Sequence, residues 1–332
     1  MPGKRRNIGQ IDRVTGPWAL PRPAILALVL ALALALVLVA GHRSALAQAA
    51  VAEATLDRIL RTGEVRIGYA PEQPFSFRSP DGQLGGIGPA VARQVFAALG
   101  VTTMKGVESE FSALIPDLLA RRYDVIVSGL SVRPERCRRV AFSDPFFRAG
   151  SAFAVRAGNP RDLHGYADVA RNPAIRLGAV FGTVEIDDAR ASGVAGEQIL
   201  LFPDAATAAS GVRSGRVDAY AARAPTVENL VQRSPRLLER AAPFEEPVLP
   251  GRSSIDHGAF AFRPEDGDLR AAFNARLTEL LRTPDYPGLI GRFGFTASEL
   301  PARRLDELCR TSRRRHDSRP TSDTVPCGDQ IC

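Results

Sequence analysis

Only two of the 332 residues are lysine, Lys4 and Lys105, beside 41 arginines. That scarcity nearly excludes chemistry resting on a lysine amine. Lys105 lies in no G-x-x-x-x-G-K-[ST] phosphate loop. Histidine is also scarce: of four, only His164 and His257 fall in the body of the chain. There is no H-E-x-x-H, no G-x-S-x-G, and no G-x-G-x-x-G following a strand, so no common catalytic signature is present. The body also has no excess of positive charge. The formal +7 sits at the ends, because residues 1–47 set six basic groups against Asp12, and the segment from Arg310 sets five arginines against three aspartates. Residues 48–309 balance at zero. A nucleic-acid binder needs a basic surplus to neutralise phosphates, so that class is set aside.

Long apolar runs are absent with one exception, Ala24–Ala40, seventeen residues without a charge. It follows a basic stretch and precedes Ala45-Leu46-Ala47, so 1–47 reads as an export signal cleaved before Gln48. Retention as a membrane anchor is the alternative, since seventeen residues is the lower edge of a span. Residues 310–332 are rich in Arg, Ser, Thr, Asp and Pro with almost nothing apolar, and read as a disordered tail. Cysteines stand at 137, 309, 327 and 332. In an exported chain they can oxidise, and four allow three complete pairings. The Cys327–Cys332 spacing lacks histidine neighbours, so no metal site is expected.

What the body does contain is alternating strand and helix. The spacing predicts helices over Glu53–Arg61, Ile87–Leu99, Phe111–Arg121, Ala205–Ser214 and Leu269–Leu281, and one beginning at Thr183. Strands are expected over Glu64–Tyr69, Asp124–Ser128, Ser151–Arg156, Arg176–Ala179, Gln198–Leu201, Val217–Ala221 and His257–Phe262. This is an α/β fold with parallel sheets, in two units at roughly 53–150 and 151–254, then a further strand and helices. Ligands of such sheets sit beyond the carboxyl ends of the strands.

Three loops at those ends carry chemistry. Glu72 and Phe75, after the first strand, offer an anion and a ring to a cation; taken alone they read as a solvated acid and a core phenylalanine. After Val127, Gly129 lets backbone approach a ligand, Ser131 offers a hydroxyl, and Arg136 offers a fork that fits a carboxylate. Arg133, Arg138 and Arg139 crowd the same loop, and most of these arginines are expected to be surface charge. Gly182-Thr183-Val184-Glu185 reads as a helix N-cap, with or without an anion beyond it.

The segment DVIVSGLSVRPERCRRVAFSDPFF, Asp124–Phe147, resembles the signature of the family 3 extracellular solute-binding proteins of ABC importers. The resemblance runs from about Leu56 to Cys309. It is strongest toward members that bind ectoine or hydroxyectoine, through RIGYAPEQPFSF, VESEFSALIPDL, GTVE, GRVDAYA and HGAFAFRPED. It implies a type II periplasmic-binding-protein fold of two lobes, each a mostly parallel sheet flanked by helices. Lobe 1 would be 56–150 plus 255–305, and lobe 2 would be 151–254. It also implies a periplasmic or otherwise extracytoplasmic monomer without cofactor, catalytic residue or metal. Its partners would be a small zwitterionic solute and the ABC permease subunits.

Carried over residue by residue, the resemblance makes Arg136 the carboxylate clamp. Gly129, Ser131 and Thr183 become polar contacts, Glu72 the acid that meets the solute's cation, and Phe75 and Phe111 two rings around it. Glu185 adjoins Thr183 in the same motif. Two departures stand out: Ser131 replaces a third ring, and Arg223 replaces the aspartate that commonly holds an α-ammonium. The alternatives implied are a binder of polar amino acids or opine-like solutes, or a secreted enzyme resembling cyclohexadienyl dehydratase. Under the lobe division Cys137 lies in lobe 1 and Cys309 closes the folded body just after its second segment, so a disulfide between them is expected.

Overall fold

The computed structural model describes residues 53–249 and 253–310. The expected export signal at 1–47 and the expected tail beyond Arg310, with Cys327 and Cys332, lie outside the described residues. Alternating side chains in EVRIGY make β1, Glu64–Tyr69. Then come β2 (Phe77–Arg78), β3 (Leu84–Gly85), β4 (Thr103–Glu108), β5 (Val125–Ser131), β6 (Ala141–Phe142), β7 (Phe147–Ala149) and β8 (Ser151–Arg156). The second half adds β9 (Leu177–Val180), β10 (Ile199–Phe202), β11 (Ala219–Arg223), β12 (Leu238–Arg240) and β13 (Asp256–Phe262). One sheet runs β4-β1-β5-β13-β6, with β7 also on β13; the other runs β10-β9-β11-β8-β12; β2 and β3 form a small hairpin.

Both sheets are mixed and mostly parallel, as the resemblance implied, with the runs of strand and helix in the sequence marking only the parallel part. Pairing is parallel for β1 with β4 and β5, and for β9 with β10 and β11. β13 opposes β5, β6 and β7, and β8 opposes β11 and β12. One strand in each sheet is therefore reversed. Each is the strand reached straight from the other sheet: β8 follows β7 through Gly150 alone, and β13 follows β12 with no helix between them among the described residues. A parallel neighbour needs a crossover connection, and neither entry has one. The two passages also pair with each other, Asp256 opposite Ala149 and Gly258 opposite Phe147.

Helices cover the faces. The helix Ile87–Ala97 ends just before a left-handed Gly100, and packs Val91, Val95 and Phe96 onto Leu269, Phe273 and Leu277 of the helix Gly267–Leu281. Phe273 meets the rings of Phe96, Phe260 and Phe262 at 4.9–5.3 Å between centroids. Fully burying one such side chain is worth about 1.5–3 kcal/mol. In the second sheet the helix Ala205–Arg213 lays Ala208, Ala209 and Val212 against Tyr220 and Val217. Small alanines let this helix approach closely. Among the described residues no helix is long and apolar enough to cross a membrane.

The carboxyl-terminal segment is fastened at two points. A disulfide joins Cys137 to Cys309, Cα atoms 5.8 Å apart. The Ala302 amide donates to Nε2 of His257 at 3.2 Å, and that ring is buried in β13. Burial, first, and then the positive Arg303 push His257 down to about 4. An unfolded histidine takes up its proton near pH 6.5, whereas this one stays neutral in the fold until about pH 4. Stability is therefore present above pH 6.5 and lost as pH falls toward 4, by about 3 kcal/mol. Denaturation series at pH 4.5 and 7 are expected to show that loss in the parent and little of it in His257→Gln.

Candidate functional site

The loop after β1 is closed by two backbone hydrogen bonds between Glu72 and Ser76, of 2.8 and 2.9 Å, which turn Glu72 and Phe75 toward the second sheet. β5 runs on to Ser131, further than its apolar run signalled, because the strand continues through a left-handed Gly129. A Cβ there would stand 2.8 Å from the Phe75 ring, so glycine is required on two counts. The short helix Pro134–Cys137 then carries Arg136 back over the strand end. From the other lobe, β9 ends at a left-handed Gly182 and leads to Thr183 and the helix Glu185–Ala191.

One cavity between the sheets is lined by Glu72, Phe75, Phe111, Gly129, Ser131, Arg136, Thr183 and Glu185 together. Val184, Tyr220, Ala222 and Arg223 complete its wall. The lobes touch across it. Arg136 donates Nη1 to the Ser131 carbonyl at 3.0 Å and Nη2 to the Gly182 carbonyl at 2.9 Å, one from each lobe. Its guanidinium lies 5.7 Å from the Phe111 ring centroid, a cation–π distance. A Cβ on Gly182 would come within 2.9 Å of the Ser112 Cα, so this approach also depends on glycine.

Glu72 is not the solvated acid that its loop suggested when taken alone. Oε1 accepts from the Thr226 hydroxyl at 2.7 Å. Burial raises its pKa to about 7; the Thr226 bond opposes that rise, negative Glu185 adds to it and positive Arg223 opposes it. Burial also brings Arg136 down to about 10, with Asp256 working the other way, and it stays charged at neutral pH. Phe75 is both core and wall, since it packs on Phe147 and Phe295 at 5.0 and 5.8 Å while facing the cavity. Thr183 does not cap the helix. Its hydroxyl donates to the Val180 carbonyl at 2.9 Å, and the helix begins two residues later.

Under the cavity floor lies a buried ion network that the sequence did not disclose. Arg223 pairs with Asp256 and, through Nε, with Glu185 Oε1 at 3.2 Å. Burial alone would lower Arg223, but Asp256, Glu185 and Asp188 hold it above the ordinary arginine range. Arg133, read as surface charge, is 5% exposed and reaches Asp256 at 2.7 Å and Asp188 at 3.5 Å. Arg138 and Arg139 are exposed. Arg223 thus faces the cavity as a neutralised group. Thr226 and Tyr220 were also missed. Neither carries a local signature, and only the crossing of the chain between lobes places them beside Glu72.

Residues 65–295 match the model of the bacterial extracellular solute-binding proteins, family 3. The chain is 36% identical over 260 residues to a probable amino-acid ABC transporter periplasmic-binding protein of Sinorhizobium fredii, covering 77% of this chain and 86% of that one. The crystal structure of EhuB in complex with hydroxyectoine superposes with a TM-score of 0.71 at 33% identity, covering 77% of this chain and 98% of that chain. A cyclohexadienyl dehydratase of Pseudomonas aeruginosa is 33% identical over 99 residues, 30% of this chain and 37% of the enzyme.

Proposed function

The chain belongs to the bacterial extracellular solute-binding proteins, family 3, and on that premise we propose that it captures ectoine or hydroxyectoine for import. Its coarser role follows from the family: an extracytoplasmic component that hands amino acids or related solutes to an ABC importer. The observation that carries the finer reading is one cavity with a guanidinium, Arg136, a carboxyl, Glu72, and two rings, Phe75 and Phe111. A zwitterion whose cation is flat and delocalised is complementary to that set. In this reading lobe 1, 56–150 with 255–305, and lobe 2, 151–254, close on the solute about the paired strands β7 and β13. The chain acts as a monomer, is exported with its signal removed, and needs no cofactor. Calorimetry against ectoine, hydroxyectoine and a panel of amino acids tests it: tight binding of the first two and not the panel is expected.

Glu72 gives that binding a pH signature. Only its ionised form attracts a cation, and it ionises near pH 7. Ectoine affinity is expected to fall about tenfold per unit as pH drops below 7, and to level off above 8. Glu72→Gln should bind weakly at every pH. It should also be the more stable protein at pH 8. A pKa raised from 4.5 to about 7 means that stability present below pH 4.5 is lost as pH rises through 7, by about 3 kcal/mol. Calorimetry and thermal melts across pH 5–8 check both halves.

A secreted enzyme is the second reading, favoured by the same carboxyl. An acid poised near 7 in a closed cavity is suited to proton transfer. Appearance of an aromatic product from a cyclohexadienyl acid incubated with the protein, abolished in Glu72→Gln, would establish it.

A further inference from the structure

Two consecutive residues of the loop after β1 reach across the cavity to one helix of the other lobe. Glu72 Oε1 accepts from the Thr226 hydroxyl at 2.7 Å, and Gln73 Oε1 accepts from Arg233 Nη1 at 2.7 Å. Thr226 and Arg233 stand two turns apart on the helix Ala224–Arg233 and so share a face. That helix starts at the crossing between the lobes. Its Ala224 amide donates to the carbonyl of Gly150, the single residue between β7 and β8. Thr226 is 1% exposed, whereas Arg233 is exposed. A buried bond to a carboxyl outweighs an exposed bond from a surface guanidinium, so the Thr226 contact dominates.

Neither contact needs a solute, and neither obstructs one. Thr226 occupies Oε1 of Glu72, while Oε2 makes no hydrogen bond among the described residues and is left for a solute cation. The charged groups around the carboxyl supply no second link to it. Glu185 and Arg223, from the second sheet, act on it through charge alone, and Arg136 shares its cavity. Glu108, Glu110 and Asp204 face it from the outer side, and Arg78 and Arg233 flank it. Burial in the closed cavity raises Glu72 from 4.5 to about 7. Parting the lobes lets water reach the carboxyl, which then returns toward its ordinary value. Closure is therefore favoured by protonation: that gain is complete below pH 4.5 and is lost as pH rises through 7. The Thr226 bond survives the change, since a neutral carboxyl also accepts from a hydroxyl.

We infer that Thr226 is a latch: it fastens the second lobe to Glu72 in the empty protein, so the lobes close without solute and the charge on Glu72 decides how often they part. The inference rests on the two-lobe reading above, but not on the identity of the solute. An empty protein held shut below neutrality admits solute only as it opens.

The test follows the full exported protein without solute, by small-angle scattering and by carbon-13 NMR of the Glu72 carboxyl. At pH 6 the parent is expected to be compact, with Glu72 titrating near 7. Thr226→Val keeps the side-chain shape and removes the hydroxyl. It should have a larger radius of gyration, and its Glu72 should titrate nearer 4.5. Thr226→Ser should restore both. Loss of a local hydrogen bond alone has the opposite sign, because this bond opposes the rise and its removal from a closed protein carries Glu72 above 7. Glu72→Gln keeps the Oε1 acceptor and cannot ionise, so it should stay compact from pH 6 to 8 while the parent expands. With ectoine, the valine variant should associate severalfold faster at pH 6, since more of it is open. A valine variant as compact as the parent overturns the inference, as does one whose Glu72 titrates at or above 7. A parent already extended at pH 6 also overturns it. Absence of ectoine binding removes the solute reading alone, because scattering and the Glu72 titration are measured on the empty protein.

Discussion

Replacing Arg136 by alanine is expected to reduce solute affinity by about 2–5 kcal/mol, roughly thirtyfold to a few thousandfold, with the fold retained. A guanidinium has five N–H donors. Two positions, Nη1 and Nη2, already hold the carbonyls of Ser131 and Gly182, which leaves three N–H groups for a solute carboxylate. Alanine removes both functions. The solute carboxylate loses its partner in a desolvated cavity, and the closed form loses a link between lobes that does not depend on solute. Arg136→Lys should recover little. An ammonium has three donors, so holding the two carbonyls leaves one, too few for a bidentate carboxylate contact. The burial that lowers Arg136 to about 10 also acts on a lysine from a lower start, so part of the charge is lost near neutrality. Titration calorimetry at pH 7.5 decides it; affinity within threefold of the parent in the alanine variant would remove Arg136 from the site.

The floor beneath Arg136 explains how an arginine can stand at position 223 in the cavity wall. Asp256 comes from a strand that links the lobes, Glu185 and Asp188 from one helix, and Arg133 from the loop before the clamp. Two guanidiniums meet three carboxylates there. Buried charges are tolerable only when each is paired and hydrogen-bonded. The cavity therefore sees an overall negative floor despite Arg223.

Such a network cannot be read along the chain. EVRIGY and SAFAVR were legible as strands because their alternation is local, and both strands span those residues in the fold. TMKGVE was not, since β4 is an edge strand with exposed threonine and lysine and little apolar content. The helix Ala224–Arg233 was hidden by its proline, which occupies the first turn, where no amide partner is lost. For the site the same divide holds. Glu72 and Arg136 each had an ordinary alternative until a resemblance joined them, while Thr226, Tyr220 and Asp256 had no signal at all. Their roles follow from two crossings of the chain between sheets, and pattern along one strand carries no record of a crossing.

Reducing the Cys137–Cys309 bond is expected to lower stability by about 5 kcal/mol in the chain-entropy picture, less whatever structure the reduced unfolded chain retains. The bond spans 172 residues, and the denatured ensemble that it constrains is correspondingly large. Its position matters as much as its length. Cys137 directly follows the clamp, and Cys309 ends the helix Leu305–Cys309, whose Leu305 and Leu308 pack onto the cluster of Leu130, Val132 and Val140. The bond therefore holds that helix against the loop that presents Arg136. Cys137→Ser with Cys309→Ser should shift the urea midpoint down strongly. Solute affinity should fall only severalfold, because Arg136 keeps its carbonyl partners. Amide exchange should accelerate first over 300–310, where the remaining anchor is the His257 bond to Ala302. Lowering the pH toward 4 removes that second anchor as His257 takes up its proton. The double variant is thus expected to be more acid-sensitive than the parent over that segment. A urea midpoint unchanged between oxidised and reduced parent protein would show that the bond constrains nothing the fold does not already hold.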